Sequence, residues 1–319
     1  MPKSIFVIKP RKGPACLLVV LWGAILCCPP ARADGLLAGT AKLDLTPPKR
    51  VPLAGYSRRR GRLLAGVHDP AFVRALVLRD GGATVALVSC DLLIVDEVLF
   101  EAIERQVRAH PDLASATLVI AATHTHSGPG AYGKKFLEKL SMGHFDEEVF
   151  AFVSSRVAQA VVAAASALQP VTVRDTAIET NGLITNRMAP GGVVDAELSL
   201  VIVDDAAGNP LALVTSFAAH PTTLGAWNRQ LSADYPGVLA QMVEARYPEA
   251  VCLFVAGAVG DQGPVKQGSG FEAAQHLGGA LAAKAVALIE GPPRGEMATL
   301  AASQRVVALP KAQVRLGRW

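Results

Sequence analysis

His124 and His126 stand two residues apart in Thr123-His124-Thr125-His126-Ser127-Gly128-Pro129-Gly130, directly after the apolar run Ala116–Ala122. That run reads as a buried strand. In extended backbone, residues two apart share a face, so both imidazoles are expected on one side of the strand's mouth. Ser-Gly-Pro-Gly cannot continue a central strand and must turn away. Two imidazoles beside a tight loop suit either a divalent metal ion or an acid/base pair. His220 offers a third: it closes the apolar run Ser216–Ala219 and is held by Pro221. Two or three histidines with an oxygen ligand, and one position left for water, make a catalytic zinc site in which the pKa of the water falls to about 7.

Such a site needs elements that bring distant residues together. Four apolar strands end in polar residues: Asp91, the His124/His126 pair, His220 and Asp261. In open α/β sheets ligands bind beyond the carboxyl ends of the strands, so these four ends are expected to converge on one cleft. Asp91 taken alone reads equally well as a turn former. His68, in Gly66-Val67-His68-Asp69-Pro70, is a further candidate for lining the cleft. The glycine-rich turn Gly257–Pro264 lets the backbone approach a substrate, and it lacks the G-x-x-x-x-G-K pattern of a phosphate loop. His110, before Pro111, suits a helix end, and His144 and His276 read as solvated.

The intervening segments alternate between strand and helix patterns. Phe72–Leu78 and Thr84–Ser89 flank Gly81-Gly82 as a hairpin, and Leu198–Val203 with Leu211–Phe217 form another around Ala207–Pro210. Helices are expected from Asp96 to His110, from the cap Asp146 to Leu168, from Tyr235 to Arg246 and from Phe271 to Ile289. The predicted class is therefore α/β: mixed β-sheets flanked by helices, with the site at the carboxyl ends of strands. Low aromatic content (5%) and 51% hydrophobic residues fit small side chains pressed between helices and sheets.

The formal charge of +4 arises from the first residues. Lys3, Lys9, Arg11 and Lys12 precede the apolar run Ala15–Leu26, and Ala31-Arg32-Ala33 follows, which together read as a secretory signal over residues 1–33. Export to the periplasm or beyond is the expected location. Without those five cations the charge falls to −1, nothing points to nucleic acid, and no basic patch with interleaved aromatics is apparent. Cys90 and Cys252 lie inside apolar strands and read as small buried hydrophobes, so no disulfide framework is expected.

With these motifs the chain resembles the neutral/alkaline (non-lysosomal) ceramidase family. The resemblance runs from Gly39–Pro47 through Ala54-Gly55-Tyr56, Gly66-Val67-His68 and Arg74-Ala75, and continues through Thr123–Gly130, Asn186-Arg187, Phe217–Thr222 and Gly260-Asp261. It implies a catalytic domain over residues 34–319 that uses Zn2+ to cleave the N-acyl bond of ceramide, a small amphipathic lipid, with peripheral contact to a membrane as part of its setting. By position His124 and His220 would ligate the zinc, His126 would face the substrate carbonyl, Arg187 would bind substrate near the metal, Asp261 would join His126 and Arg187 as a catalytic residue, and Gly263 would line the cleft with His68 and Asp91. The family's loop reads G-D-x-S-P where this chain has Gly263. The family's remaining zinc ligands, a glutamate and a tyrosine, lie downstream in a longer domain, and no matching segment precedes Trp319, so the domain is expected to be incomplete at its carboxyl end.

Two other readings compete. A metallo-β-lactamase-like hydrolase needs aspartate at the position of Gly128, which argues against it. A catalytically degenerate, exported binding protein on the same fold fits Gly263 and the missing downstream ligands.

Overall fold

The computed structural model describes residues 2–6, 35–297, 299–306 and 308. Eight strands form one mixed sheet in the order β8-β7-β6-β5-β1-β2-β3-β4, where β1 is Leu37–Asp44, β2 Phe72–Asp80, β3 Ala83–Cys90, β4 Thr117–Ala122, β5 Gln169–Glu179, β6 Glu197–Asp205, β7 Pro210–Phe217 and β8 Val251–Ala256. A ninth, Gly295–Met297 (β9), pairs antiparallel with β5. β3/β4 and β7/β8 are parallel pairs and the other neighbours are antiparallel. This is the mixed α/β class expected from the sequence.

The joint between β1 and β5 consists of two residue pairs, Leu37 with Pro170 and Ala38 with Gln169. Around that short joint the sheet folds so that its halves stack. Leu76, Leu78 and Val85 of one half share a core with Val173, Val203 and Leu253 of the other, and Ser89 Oγ donates to the Phe254 carbonyl across the stack at 2.6 Å. The two parallel pairs, at opposite ends of the strand order, thereby become neighbours. Their four carboxyl ends lead into the four segments singled out by sequence. Between the halves remains an apolar cavity of about 250 Å³, lined by Leu76, Val119, Val173, Val214 and Leu300 among others.

Helices cover the outer faces. In α1 (Glu97–Arg108), Leu99, Ile103 and Val107 recur every four residues as the buried stripe, and Asp96 caps the helix by accepting from Leu99 N at 2.9 Å. α2 is the short helix Phe136–Met142. α3 (Glu147–Ser166) is long and apolar enough to pass for a membrane span, yet half of its apolar window is buried, and Val153, Val157 and Val161 join the core beneath the first half-sheet. Asp146 caps it, as expected. α4 (Asp234–Arg246) and α5 (Gly270–Glu290) bury Leu239, Val243, Leu277 and Leu281 against the second half. Cys90 and Cys252 are free and buried, as the sequence implied, and burial pushes the Cys252 thiol up to about 12. Residues 7–33 of the expected export signal lie outside the described residues, while Pro2–Phe6 pairs antiparallel with Ala302–Val306.

Candidate metal centre

His124 does not sit in extended backbone. β4 ends at Ala122, and His124 has φ 65°, in the left-handed region that a histidine adopts only under constraint. The shared-face argument from sequence therefore fails for this pair. A tight turn brings the imidazoles together instead: the ring centroids of His124 and His126 are 5.1 Å apart, and His220 lies 4.6 Å from His124 and 4.8 Å from His126. One nitrogen from each falls within 4.8 Å of the others. His220 is nearly buried and the other two are half-buried.

Two of the three rings have a fixed tautomer. His124 Nδ1–H donates to the Leu93 carbonyl at 2.7 Å, and His220 Nδ1–H donates to the Val259 carbonyl at 2.9 Å. Each Nε2 is then an unprotonated lone pair turned into the cluster, the arrangement by which a carbonyl behind a histidine prepares it as a ligand. His126 Nε2 lies 2.9 Å from His220 Nε2, whereas its buried Nδ1 has no partner. Two nitrogens each about 2.1 Å from one tetrahedral ion stand about 3.4 Å apart, so this donor set suits a divalent metal.

The surroundings keep the rings neutral. Burial lowers His126 to about 3, helped by His220, His124, Arg59 and Arg187, and burial likewise lowers His220 to about 4. His124 is shifted down for the same first reason. Depressed folded pKa values mean that the unfolded chain takes up these protons first as the pH falls below the ordinary 6.5. The metal-free protein is therefore expected to lose stability from about pH 6.5 towards pH 4, and His126→Gln to lose less over that window, as urea unfolding at successive pH values will measure.

Neighbouring segments clamp the histidine loops. Ser232 N donates to the Ser127 carbonyl and Thr125 Oγ1 donates to the Ser232 carbonyl, both at 3.0 Å. The buried Asp234 carboxylate accepts from Thr223 Oγ1 and from Leu224 N, and Tyr235 OH donates to the Ala219 carbonyl, so the start of α4 fixes both sides of His220. Gly55, at φ 104°, leaves room for His126: a Cβ there would lie 2.6 Å from His126 Cγ. Tyr56 stands edge-on to the His126 ring, with centroids 4.9 Å apart.

The sequence pattern missed Arg59. Within a run of arginines it reads as solvated, yet it is 6% exposed and donates to the carbonyls of Ala54, His126 and Asn228. Burial lowers its pKa to about 10. No signal in that run separates Arg59 from its neighbours, and the same holds for Asp234 and Tyr235.

The remaining candidates divide. Arg187 is exposed, donates through Nε and Nη2 to the Gly260 carbonyl, and its charge helps lower all three histidines. Asp261 supports it: its carbonyl accepts from Arg187 N at 2.8 Å and its carboxylate from Asn186 Nδ2 at 3.2 Å. Gly263 is buried beside Arg187. Asp91 does not open onto the cleft. It is 1% exposed and paired with Arg74 at 3.1 Å, and its contribution is the turn that carries Leu93 to His124. His68 is not brought to the cluster either: its ring stacks on Phe271 at 3.7 Å and its Nδ1 faces Asp69 at 2.9 Å. The cleft around the three histidines is lined instead by Leu93, Ile94, Leu137, Glu138 and Ser141.

Residues 36–276 match the family described as neutral/alkaline non-lysosomal ceramidase, N-terminal. A neutral ceramidase of Pseudomonas aeruginosa is 28% identical over 226 residues, covering 65% of this chain and 34% of the relative. One of Mycobacterium tuberculosis is 27% identical over 241 residues, covering 66% and 37%. This chain thus spans about a third of the length of the curated relatives it matches. Among solved structures, neutral ceramidase from Pseudomonas aeruginosa superposes with a TM-score of 0.74 at 24% identity, over 80% of this chain and 45% of that one. A structure described as ceramidase complexed with C2 gives a TM-score of 0.73.

Proposed function

The chain belongs to the neutral/alkaline non-lysosomal ceramidase family, and from that premise we propose that it is a zinc-dependent hydrolase of the N-acyl bond of ceramide or a related N-acyl lipid. The observation that carries the metal requirement is the pair of Nε2 lone pairs on His124 and His220, each prepared by a carbonyl on the opposite ring nitrogen. Those two residues would hold the ion, with His126 beside them. When bound there, zinc supplies Lewis acidity and a water whose pKa lies near 7. His126, neutral at physiological pH, presents an N–H to the oxygen of the scissile carbonyl, where negative charge develops during attack. Arg187, whose Nε and Nη2 are anchored on the Gly260 carbonyl, offers its Nη1 donors to a polar group of the substrate. Leu93, Ile94 and Leu137 give the cleft an apolar wall for a lipid chain.

A second reading has one observation in its favour. A Cβ on Gly263 would meet Arg187 at 3.6 and 3.7 Å, ordinary contact, so packing does not forbid the serine that the resemblance implies. Its replacement by glycine is then a chemical change, which suits a binding protein without turnover. Both readings meet one experiment: the purified chain, loaded with zinc, is incubated with N-acylsphingosine and the released fatty acid is measured. Release that a chelator abolishes and zinc restores is expected. Zinc uptake with no release would sink the hydrolase and leave the binding protein.

A further inference from the structure

The loop that carries His124 and His126 grips the segment on which His124 leans. After Ser127-Gly128-Pro129 the chain turns back at Ala131, which has φ 62°. It is clamped there: Gly130 N donates to the Pro52 carbonyl at 2.7 Å, Ala131 N to the Met142 carbonyl at 2.8 Å, and Asp146 N to the Ala131 carbonyl at 2.7 Å. The next residue, Tyr132, is 2% exposed and belongs to the core beneath the first half-sheet.

The Tyr132 hydroxyl meets the segment behind His124. It accepts from Ile94 N at 3.3 Å and donates to the Ile94 carbonyl at 3.0 Å. Ile94 N and the Leu93 carbonyl belong to one planar peptide unit, and that carbonyl accepts from His124 Nδ1–H at 2.7 Å. The bonds therefore run in series, imidazole N–H to carbonyl and amide N–H to phenol. A rigid unit held at both ends cannot turn without breaking one bond or the other. Donation at one end also polarises the amide and strengthens the bond at the other. His220 leans on a separate support, the Val259 carbonyl.

We propose that Tyr132 is a positioning residue of the metal centre, which aims the Nε2 lone pair of His124 into the cluster by holding the Leu93–Ile94 peptide. A phenol suits the task. Burial raises its pKa, so it stays protonated and remains a donor at neutral pH. Phenylalanine would keep the ring's packing and give up both bonds, stranding the Ile94 amide in the core. The consequence for zinc rests on the proposed metal-dependent hydrolysis; the aiming of the ring is tested without metal.

The test compares Tyr132→Phe with the parent by proton NMR of isotope-labelled, metal-free protein at neutral pH. The readouts are the solvent-exchange rates of the His124 and His220 Nδ1 protons, assigned by their loss in His124→Asn and His220→Asn. In Tyr132→Phe the His124 proton should exchange about 5-fold faster, the weight of one ordinary hydrogen bond, while the His220 proton keeps the parent rate. Competition with a chelating dye should show zinc binding weakened about 5- to 10-fold, at or below the low end of what losing a direct partner costs a metal ligand. Equal His124 exchange in both proteins would overturn the proposal. So would equal acceleration of both protons, which marks a loosened core in place of a misaimed ring, or faster His124 exchange with parent-like zinc affinity. A parent that takes up no zinc while its His124 proton still responds to Tyr132→Phe would sink the metal-dependent hydrolase and leave the positioning standing.

Discussion

His124→Ala and His220→Ala will each weaken zinc binding at least about 100-fold, measured by competition with a chelating dye. Changing a group that merely orients a ligand costs 10–100-fold, and these substitutions remove the ligand itself. Arg187→Ala, by contrast, should keep the metal and lose activity, since its guanidinium is tied to Gly260 and not to the histidine nitrogens. His220→Ala carries a second readout. His220 is the largest influence after burial among those holding His126 near 3, so His126 should titrate at a higher pH once it is gone, as proton NMR of the metal-free protein will show. Parent-like zinc affinity in His220→Ala would mean that the three imidazoles are ordinary buried groups.

The gathering of His124, His126 and His220 was legible in the sequence because strand ends announce themselves. An apolar run that stops at His, Asp or Gly-Asp marks a carboxyl end whether or not its neighbours are known, and the helix caps Asp96 and Asp146 are equally local signals. What sequence could not supply was the folding of the sheet about the short β1–β5 joint. That joint pairs Leu37 with Pro170 and Ala38 with Gln169, far apart along the chain, and carries no local pattern. It determines that β4 and β8 face each other, and so that His124 meets His220. The left-handed turn at His124 was hidden for a similar reason. The apolar run Ala116–Ala122 argues for continued extension, and tertiary bonds override it, among them those of Thr123, Thr125 and Ser127 to Cys90 and Ser232 and of His126 to Pro221 and Arg59. Asp91 and His68 illustrate the converse error: a polar residue near a strand end is drawn towards the cleft by analogy, although Asp91 has a buried arginine to satisfy and His68 a phenylalanine to stack on.

Arg74→Met will destabilise the protein by about 3–5 kcal/mol, the usual cost of removing one partner from a buried ion pair. Arg74 is 2% exposed on β2 and bridges Asp91, at 3.1 Å, to Glu244 of α4, at 2.9 Å, while Lys42 reaches the other oxygen of Glu244. It therefore ties the first half-sheet to a helix that covers the second, directly beneath the turn that carries Leu93. Burial, the largest single influence on Arg74, disfavours its charge, but the attraction of Asp91 and Glu244 outweighs it and raises the pKa. For Asp91 the balance runs the other way: burial raises the carboxyl despite the guanidinium. Without Arg74 that carboxyl rises further, so the native state takes up a proton before the unfolded chain does. Stability then falls as the pH rises through that range, and the deficit of Arg74→Met relative to the parent should shrink on acidification from pH 7 towards pH 5. Adding Asp91→Asn to Arg74→Met removes the stranded charge and should recover part of the loss at pH 7, read from urea midpoints at unchanged m. A deficit that is constant with pH and untouched by Asp91→Asn would assign the cost to lost packing around the arginine stem instead of to the stranded carboxylate.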